Sequence, residues 1–191
     1  MFRALEDMSN VTLEISTIET AATLKEVEEI QRFRYQVYAQ EMGLDLPGAN
    51  HARRMLADPL DETAIHLYAK VGANWAGAVR LNVNQVPAGM DHTLETDNLP
   101  KPFVYCSRLY VLAEFRGSGV MQELAGACFA YFDQQHAAAA ICHCYPHLLP
   151  MYERMGFRPY GKPFQMAGFE DLGEQTPLRR LFAPRHARRA A

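Results

Sequence analysis

The chain has little with which to staple itself, cross a membrane or bind by bulk charge. Only four cysteines occur in 191 residues. Cys106, Cys128, Cys142 and Cys144 form no disulfide framework, which argues against a stapled secreted fold and for a reducing cytoplasm. No apolar run approaches the ~18 residues of a membrane span, so no membrane partner is expected. Met1 to Asn10 carries acids and lacks the apolar stretch of a secretory signal. Charge of one sign is scarce as well: 19 basic and 22 acidic residues leave a net charge of −3. Nucleic-acid binding, which depends on neutralising phosphates, is therefore disfavoured. The exception is the end of the chain, where Arg179, Arg180, Arg185, Arg188 and Arg189 make either a solvated basic tail, from about residue 182, or a patch for an acidic partner. Repeats and low-complexity linkers are missing, and the length suits residues 1–191 as a single domain, monomeric or homodimeric.

What is present alternates strand and helix patterns. Val11 to Ser16 reads as a strand. Thr20 is the expected N-cap of a helix running to about Met42, with Leu24, Val27, Ile30, Val37 and Tyr38 on one face and Gly43 as its stop. Leu44 to Asp61 reads as an irregular loop in which Ala49 to Leu56 could form a short helix. Ile65 to Val71 and Trp75 to Val83 are strand-like and joined by Gly72-Ala73-Asn74, a hairpin signal. Val86 to Pro102 reads as a long connection. A strand is expected over Ala138 to Tyr145, a short helix over Pro146 to Met155, and final strands over Phe157 to Met166 and Pro177 to Leu181, separated by a loop over Gly168 to Thr176.

The densest signal lies between them. Tyr105 to Leu112 is an apolar strand that runs into Arg116-Gly117-Ser118-Gly119 and then into an amphipathic helix to about Gln135. The first N–H groups of such a helix have no intrahelical partner and sit at the positive end of its dipole, so backbone alone can hold a phosphate there. Gly117 and Gly119 permit positive φ and close approach, and Arg116 adds a full charge. Cys142-His143-Cys144 invites a metal reading, but alternate strand residues face opposite ways and there is no second ligand pair; no metal is expected.

This order of elements, with Arg116 to Gly119 after a central strand and Tyr152-Glu153-Arg154-Met155-Gly156-Phe157 further on, resembles the GCN5-related N-acetyltransferase superfamily. The resemblance implies an α/β fold, a central mixed and mostly antiparallel twisted sheet flanked by helices. It implies a cytoplasmic acyltransferase that moves an acetyl or longer acyl group from acetyl-coenzyme A or another acyl-coenzyme A to a small-molecule amine, directly and in a ternary complex. The pantetheine arm would lie along Tyr110, Val111 and Leu112, and the pyrophosphate within Arg116, Gly117, Ser118, Gly119, Val120 and Met121. The segments Phe33-Arg34-Tyr35-Gln36-Val37-Tyr38, Asp58-Pro59-Leu60-Asp61, Ala78-Val79-Arg80-Leu81 and Ser107-Arg108-Leu109 look like the branch of long-chain N-acyl amino acid synthases and acyl-homoserine-lactone synthases. Members of that branch often take acyl groups from acyl carrier protein, so such a carrier is an alternative donor. Where that branch typically has glutamate, this chain has Tyr105. A ligand-binding module that keeps the donor cleft without turnover is the remaining alternative.

Acyl transfer from a thioester needs a polarised carbonyl, a neutral amine and a protonated leaving sulfur. The first is expected from backbone N–H at a strand bulge near Leu112. Tyr152 is the candidate acid for the sulfur. Glu123, His143 and His66 are the titratable groups considered for the amine, Glu123 with a solvent-facing alternative. For the acceptor, Arg108 is either a carboxylate clamp or an ion-pair partner of Asp58, Asp61 or Arg80; Arg34 carries the same ambiguity, with a surface position preferred. His66 is also placed among the candidate substrate-binding residues.

Overall fold

The computed structural model describes residues 18–166 and 173–183. The Val11 to Ser16 strand and most of the basic tail lie outside them. A short strand, β1 (Glu19–Thr20), leads to α1 (Leu24–Tyr35). Thr23, not Thr20, is the N-cap: its hydroxyl accepts from the Glu26 N–H while the Glu26 carboxylate takes the Thr23 N–H, a reciprocal capping box. Thr20 is instead tied into β1, opposite Leu67. The helix does not run unchanged to Met42, because Gln36–Glu41 widen into a π turn.

Ala49 to Leu56 is not helical. Ala49–Asn50 (β2) and Met55–Leu56 (β3) pair as a small antiparallel ribbon. Met55 and Leu56 are buried, and α1 packs against β3. Local propensity gave way here to burial under a neighbouring helix.

The main sheet has seven strands in the order β1-β4-β5-β6-β7-β9-β8. Its members are β4 (Ile65–Val71), β5 (Asn74–Val83), β6 (Phe103–Val111), β7 (Ala139–Cys144), β8 (Arg158–Pro159) and β9 (Thr176–Leu181), with β1 at one edge. Every pairing is antiparallel except β6 with β7. The expected hairpin joins β4 to β5, with Val71 opposite Asn74. Only Arg158–Pro159 of the Phe157 to Met166 segment is strand, apart from a single bridge between Phe164 and Gln175.

Between β6 and β7 runs α2 (Val120–Gln134); α3 (Leu149–Arg154) follows β7 after a 3-10 turn. A Cβ on Gly77 would stand 3.0 Å from a Leu124 methyl and 3.1 Å from a Val120 methyl, so glycine lets α2 lie close on that face of the sheet. Ala78 faces the other way, as does its cross-strand partner Tyr110, whose hydroxyl reaches the Ile30 carbonyl of α1. The Val86 to Pro102 connection is a working layer of the core: Val86, Leu94 and Leu99 bury Phe103, Tyr105, Ala139 and Ile141.

Candidate functional site

Strands β6 and β7 pair only from Phe103↔Ala139 to Tyr105↔Ile141. Beyond that point β6 continues to Val111 against β5, and β7 continues to Cys144 against β9. The facing edges therefore part, leaving strand backbone turned toward a cleft. Leu112 donates its N–H to the Ala76 carbonyl at 3.0 Å. The Val111 carbonyl belongs to the same trans peptide and points the opposite way, so it is aimed into the split.

The strand bulge is not at Leu112. Ala78 pairs with Tyr110 and Arg80 with Ser107, so two β6 residues, Arg108 and Leu109, stand against Val79 alone. Arg108 has φ 53, a left-handed backbone that a non-glycine residue adopts at a cost of order 1–3 kcal/mol. The extra residue moves the expected carbonyl-polarising N–H groups upstream, to the middle of the split.

At the end of β6 the turn has the form the sequence implies. Gly117 has φ 80 and Gly119, the helix N-cap, has φ 100, and no side chain caps the helix. Val120 is fully buried and Met121 packs on the same core, so these two can meet a phosphate only through their N–H groups. The Tyr110, Val111 and Leu112 side chains are likewise buried, which leaves their backbone for a donor. The Ser118 hydroxyl is spent on the Phe115 carbonyl at 2.6 Å. Arg116 donates its Nε–H to the Val111 carbonyl at 3.0 Å and reaches Glu41 at 3.4 Å.

Tyr152, on α3, lies among Cys106 of β6 and Cys142 and Cys144 of β7, so it spans the two parting strands. Burial pushes its phenol well above its ordinary pKa, and it packs edge-on against Phe157. The four cysteines are free thiols. Burial raises Cys128 to about 12 and Cys144 to about 11, and carries Cys106 and Cys142 well above the usual thiol range, so none is a thiolate near neutral pH.

His143 faces the opposite side of β7 from Cys142 and Cys144. Its Nε2 meets the Tyr105 hydroxyl at 2.9 Å, and its Nδ1 lies 3.4 Å from the Gln175 side-chain oxygen. That oxygen can only accept, so Nδ1 carries the proton and Nε2 accepts from Tyr105. Burial lowers His143 to about 4, leaving it neutral. Tyr105 and Gln175 escape sequence reading because nothing local marks them; Tyr105 is notable in sequence only as the residue standing where glutamate is typical. Glu123 is exposed in the first turn of α2, where its charge suits the helix N-terminus.

The polar core of the site is a network of ion pairs. Arg34 grips both Asp61 oxygens, at 2.9 and 3.0 Å, and the Leu56 carbonyl at 3.1 Å. Arg80 bridges Asp58 at 2.8 Å and Asp61 at 3.1 Å, and donates to the Ser107 hydroxyl. Arg108 meets Asp58 at 2.9 Å. The surface position preferred for Arg34 is thus overturned: it is completely buried, because its charge is met by a carboxylate that a second arginine also holds. His66 does not line an open substrate site either; it is sealed beneath Asp61, and neither ring nitrogen has a hydrogen-bond partner. Although Asp61 Oδ1 lies 3.8 Å from its Nε2, burial outweighs that attraction and lowers His66 to about 4. The neighbouring guanidinium groups hold Asp58 and Asp61 ionised against their own burial. Arg108 alone among these arginines stands at the bulge, stacked over the Tyr38 ring at 5.6 Å.

Residues 29–173 match the family model described as N-acyl amino acid synthase FeeM. No curated protein sequence matches the chain. Among solved structures, the CoA-dependent acyl-homoserine lactone synthase BjaI, with SAM and isopentyl-CoA, superposes with TM-score 0.70 at 18% identity, over 91% of this chain and 86% of that one. MesI, another CoA-dependent acyl-homoserine lactone synthase, gives 0.63 at 18% identity, over 87% of each chain. An acyl-CoA N-acyltransferase from Pseudomonas aeruginosa gives 0.60 at 16% identity, over 86% of this chain and 99% of that one. At such identities these likenesses concern the fold.

Proposed function

The chain belongs to the N-acyl amino acid synthase FeeM family and is an N-acyltransferase, and we propose that it moves an acetyl or longer acyl group from an acyl-coenzyme A to the amine of a small molecule, with both substrates bound together. The observation that carries this reading is the parting of β6 from β7, with a glycine turn at one end and Tyr152 across the middle. In this reading the pyrophosphate rests on Arg116 and the N–H groups from Gly117 to Met121, and the pantetheine arm lies along the backbone of Tyr110, Val111 and Leu112.

The chemistry follows from what stands along the split. The amine lone pair attacks the thioester carbonyl carbon. The oxygen gains negative charge, which N–H groups at the Arg108–Leu109 bulge stabilise. The C–S bond then breaks, and the sulfur takes the proton that burial keeps on Tyr152. Of the groups considered for the amine proton, Glu123 is exposed and His66 is sealed in. By elimination His143 is assigned as proton acceptor, through the Tyr105 hydroxyl that its Nε2 meets or through a water, with burial making it a weaker base than a free imidazole.

Arg108 is the acceptor clamp in this account. A guanidinium recognises a carboxylate through paired N–H donors, and an acceptor bearing both amine and carboxylate matches the family description. The test is mass-spectrometric detection of amide product from acetyl-, octanoyl- and palmitoyl-coenzyme A and from acylated carrier protein, each against amines with and without a carboxylate. The reading expects amide from at least one acyl-coenzyme A. Amide only from the carrier would replace the donor, and coenzyme A binding without any amide would leave a non-catalytic module.

A further inference from the structure

Arg116 has two partners on different elements, β6 and the π turn that follows α1. Its Nε–H caps the Val111 carbonyl at 3.0 Å, the strand carbonyl aimed into the split. Its Nη2 reaches Glu41 at 3.4 Å, and Glu41 is the last residue of the π turn Gln36–Glu41. That turn also carries Tyr38, which packs edge-on against Tyr110 at 5.9 Å and covers the Arg108 guanidinium at 5.6 Å. The π turn is therefore held from both ends: Arg34, just before it, is locked into Asp61, and Glu41 is tied to the donor turn. A wide turn of this kind is an uncommon helix form, frequent where function requires a displaced side chain.

Glu41 and a phosphate both want the same guanidinium. The Arg116 side chain is 57% exposed and its pair with Glu41 is long, whereas a donor phosphate at the α2 N-terminus would also have the helix amides. We propose that Glu41 is a positioning residue that couples the two substrates: a donor phosphate takes Arg116 from it, which frees the Val111 carbonyl and loosens the turn that holds Tyr38 over Arg108. Donor binding then loosens the cover over the clamp. This rests on the coenzyme A reading above and adds to it a residue that links the donor turn to the clamp.

The test uses coenzyme A itself, with no acceptor and no turnover. Calorimetric titration is run on the wild-type protein and Glu41→Gln, with pantetheine, which has no pyrophosphate, as a second probe. Hydrogen exchange of the amides from Val37 to Met42 is followed in both proteins. An exposed ion pair is worth at most about 1 kcal/mol, so coenzyme A should bind Glu41→Gln about two- to fivefold more tightly, while pantetheine binds both alike. Coenzyme A should speed exchange in residues 37–42 of the wild-type protein by a similar factor and change little in Glu41→Gln. Equal or weaker coenzyme A binding by Glu41→Gln, or slower exchange in the turn on binding, would overturn the coupling. Failure of the wild-type protein to bind coenzyme A is a different result: it would remove the donor reading, and this inference with it.

Discussion

Burial among three thiols makes a Tyr152 phenolate costly, so in the proposed mechanism Tyr152 gives up its proton only as sulfur leaves. Tyr152→Phe keeps the ring and its contact with Phe157 while removing the proton. It should lower kcat by about a hundredfold and leave donor affinity within about twofold, as expected for loss of a general acid. Steady-state kinetics beside coenzyme A titration would decide this, and an unchanged rate would end the assignment. Asp61 makes a structural prediction of the same kind. Asp61→Asn leaves Arg34 and Arg80 buried with one formal charge fewer between them, and breaking such a network typically costs about 3–5 kcal/mol in urea unfolding. A loss below about 1 kcal/mol would mean that water or Asp58 replaces it. His66 sets a pH window. Its folded pKa of about 4 lies below the ordinary 6.5, so between these values the unfolded chain binds a proton that the folded one refuses. Stability should therefore fall on acidification through that window, by up to about 1.4 kcal/mol per pH unit from this group. The depressed Asp58 and Asp61 carboxyls act in the same direction only below about pH 4, where their unfolded forms take up protons. His143, lowered to about 4 as well, adds an equal slope in the same window as His66. Urea titrations at several pH values would detect the combined slope, and His66→Gln should remove about half of it.

The strand-turn-helix of the donor side was legible in sequence because each part depends on local rules: an apolar strand, glycines where φ is positive, and a helix whose first N–H groups have no partner. Gly119→Val places a branched residue at φ 100 and should weaken coenzyme A binding at least tenfold if the turn holds the pyrophosphate. Unaltered affinity would make the turn a connector. A bulge was expected near Leu112, but its position and the π turn were not legible, since each is a one-residue change of register fixed by neighbours. Arg108 is forced to φ 53 by the pairing of Ser107 and Tyr110 on either side of it. The π turn follows a helix anchored at Arg34 by Asp61, a residue that lies 27 positions away. Ala49 to Leu56 failed for a related reason: Met55–Leu56 is buried under α1 and Ala49–Asn50 pairs with it, neither of which its own periodicity records. Continuous β-capable runs located β4, β5 and β7 well, because these strands are buried on both faces over most of their length.

Across the whole molecule, the sheet is continuous at one end and parted at the other, and in the proposed mechanism the two substrates meet at the parting. In that proposal donor backbone contacts come from β6 and the α2 turn, the acid from α3, and the acceptor clamp from a bulge held by α1 and the Asp58–Asp61 turn. No described helix is long and apolar enough to cross a membrane. The element order and its motifs were sufficient to place the chain in its fold, whereas the sealing of Arg34 and His66 emerged only when distant segments met. The proposed mechanism is direct transfer along the β6–β7 split, with no acyl group held on the protein. It is tested most directly by thiol release from octanoyl-coenzyme A, followed with and without an amino acid mixture, together with the intact mass of the protein. Direct transfer gives release only when amine is present, matched by amide product, and a protein mass that never changes. Thiol release without amine, accompanied by an acylated protein, would contradict it.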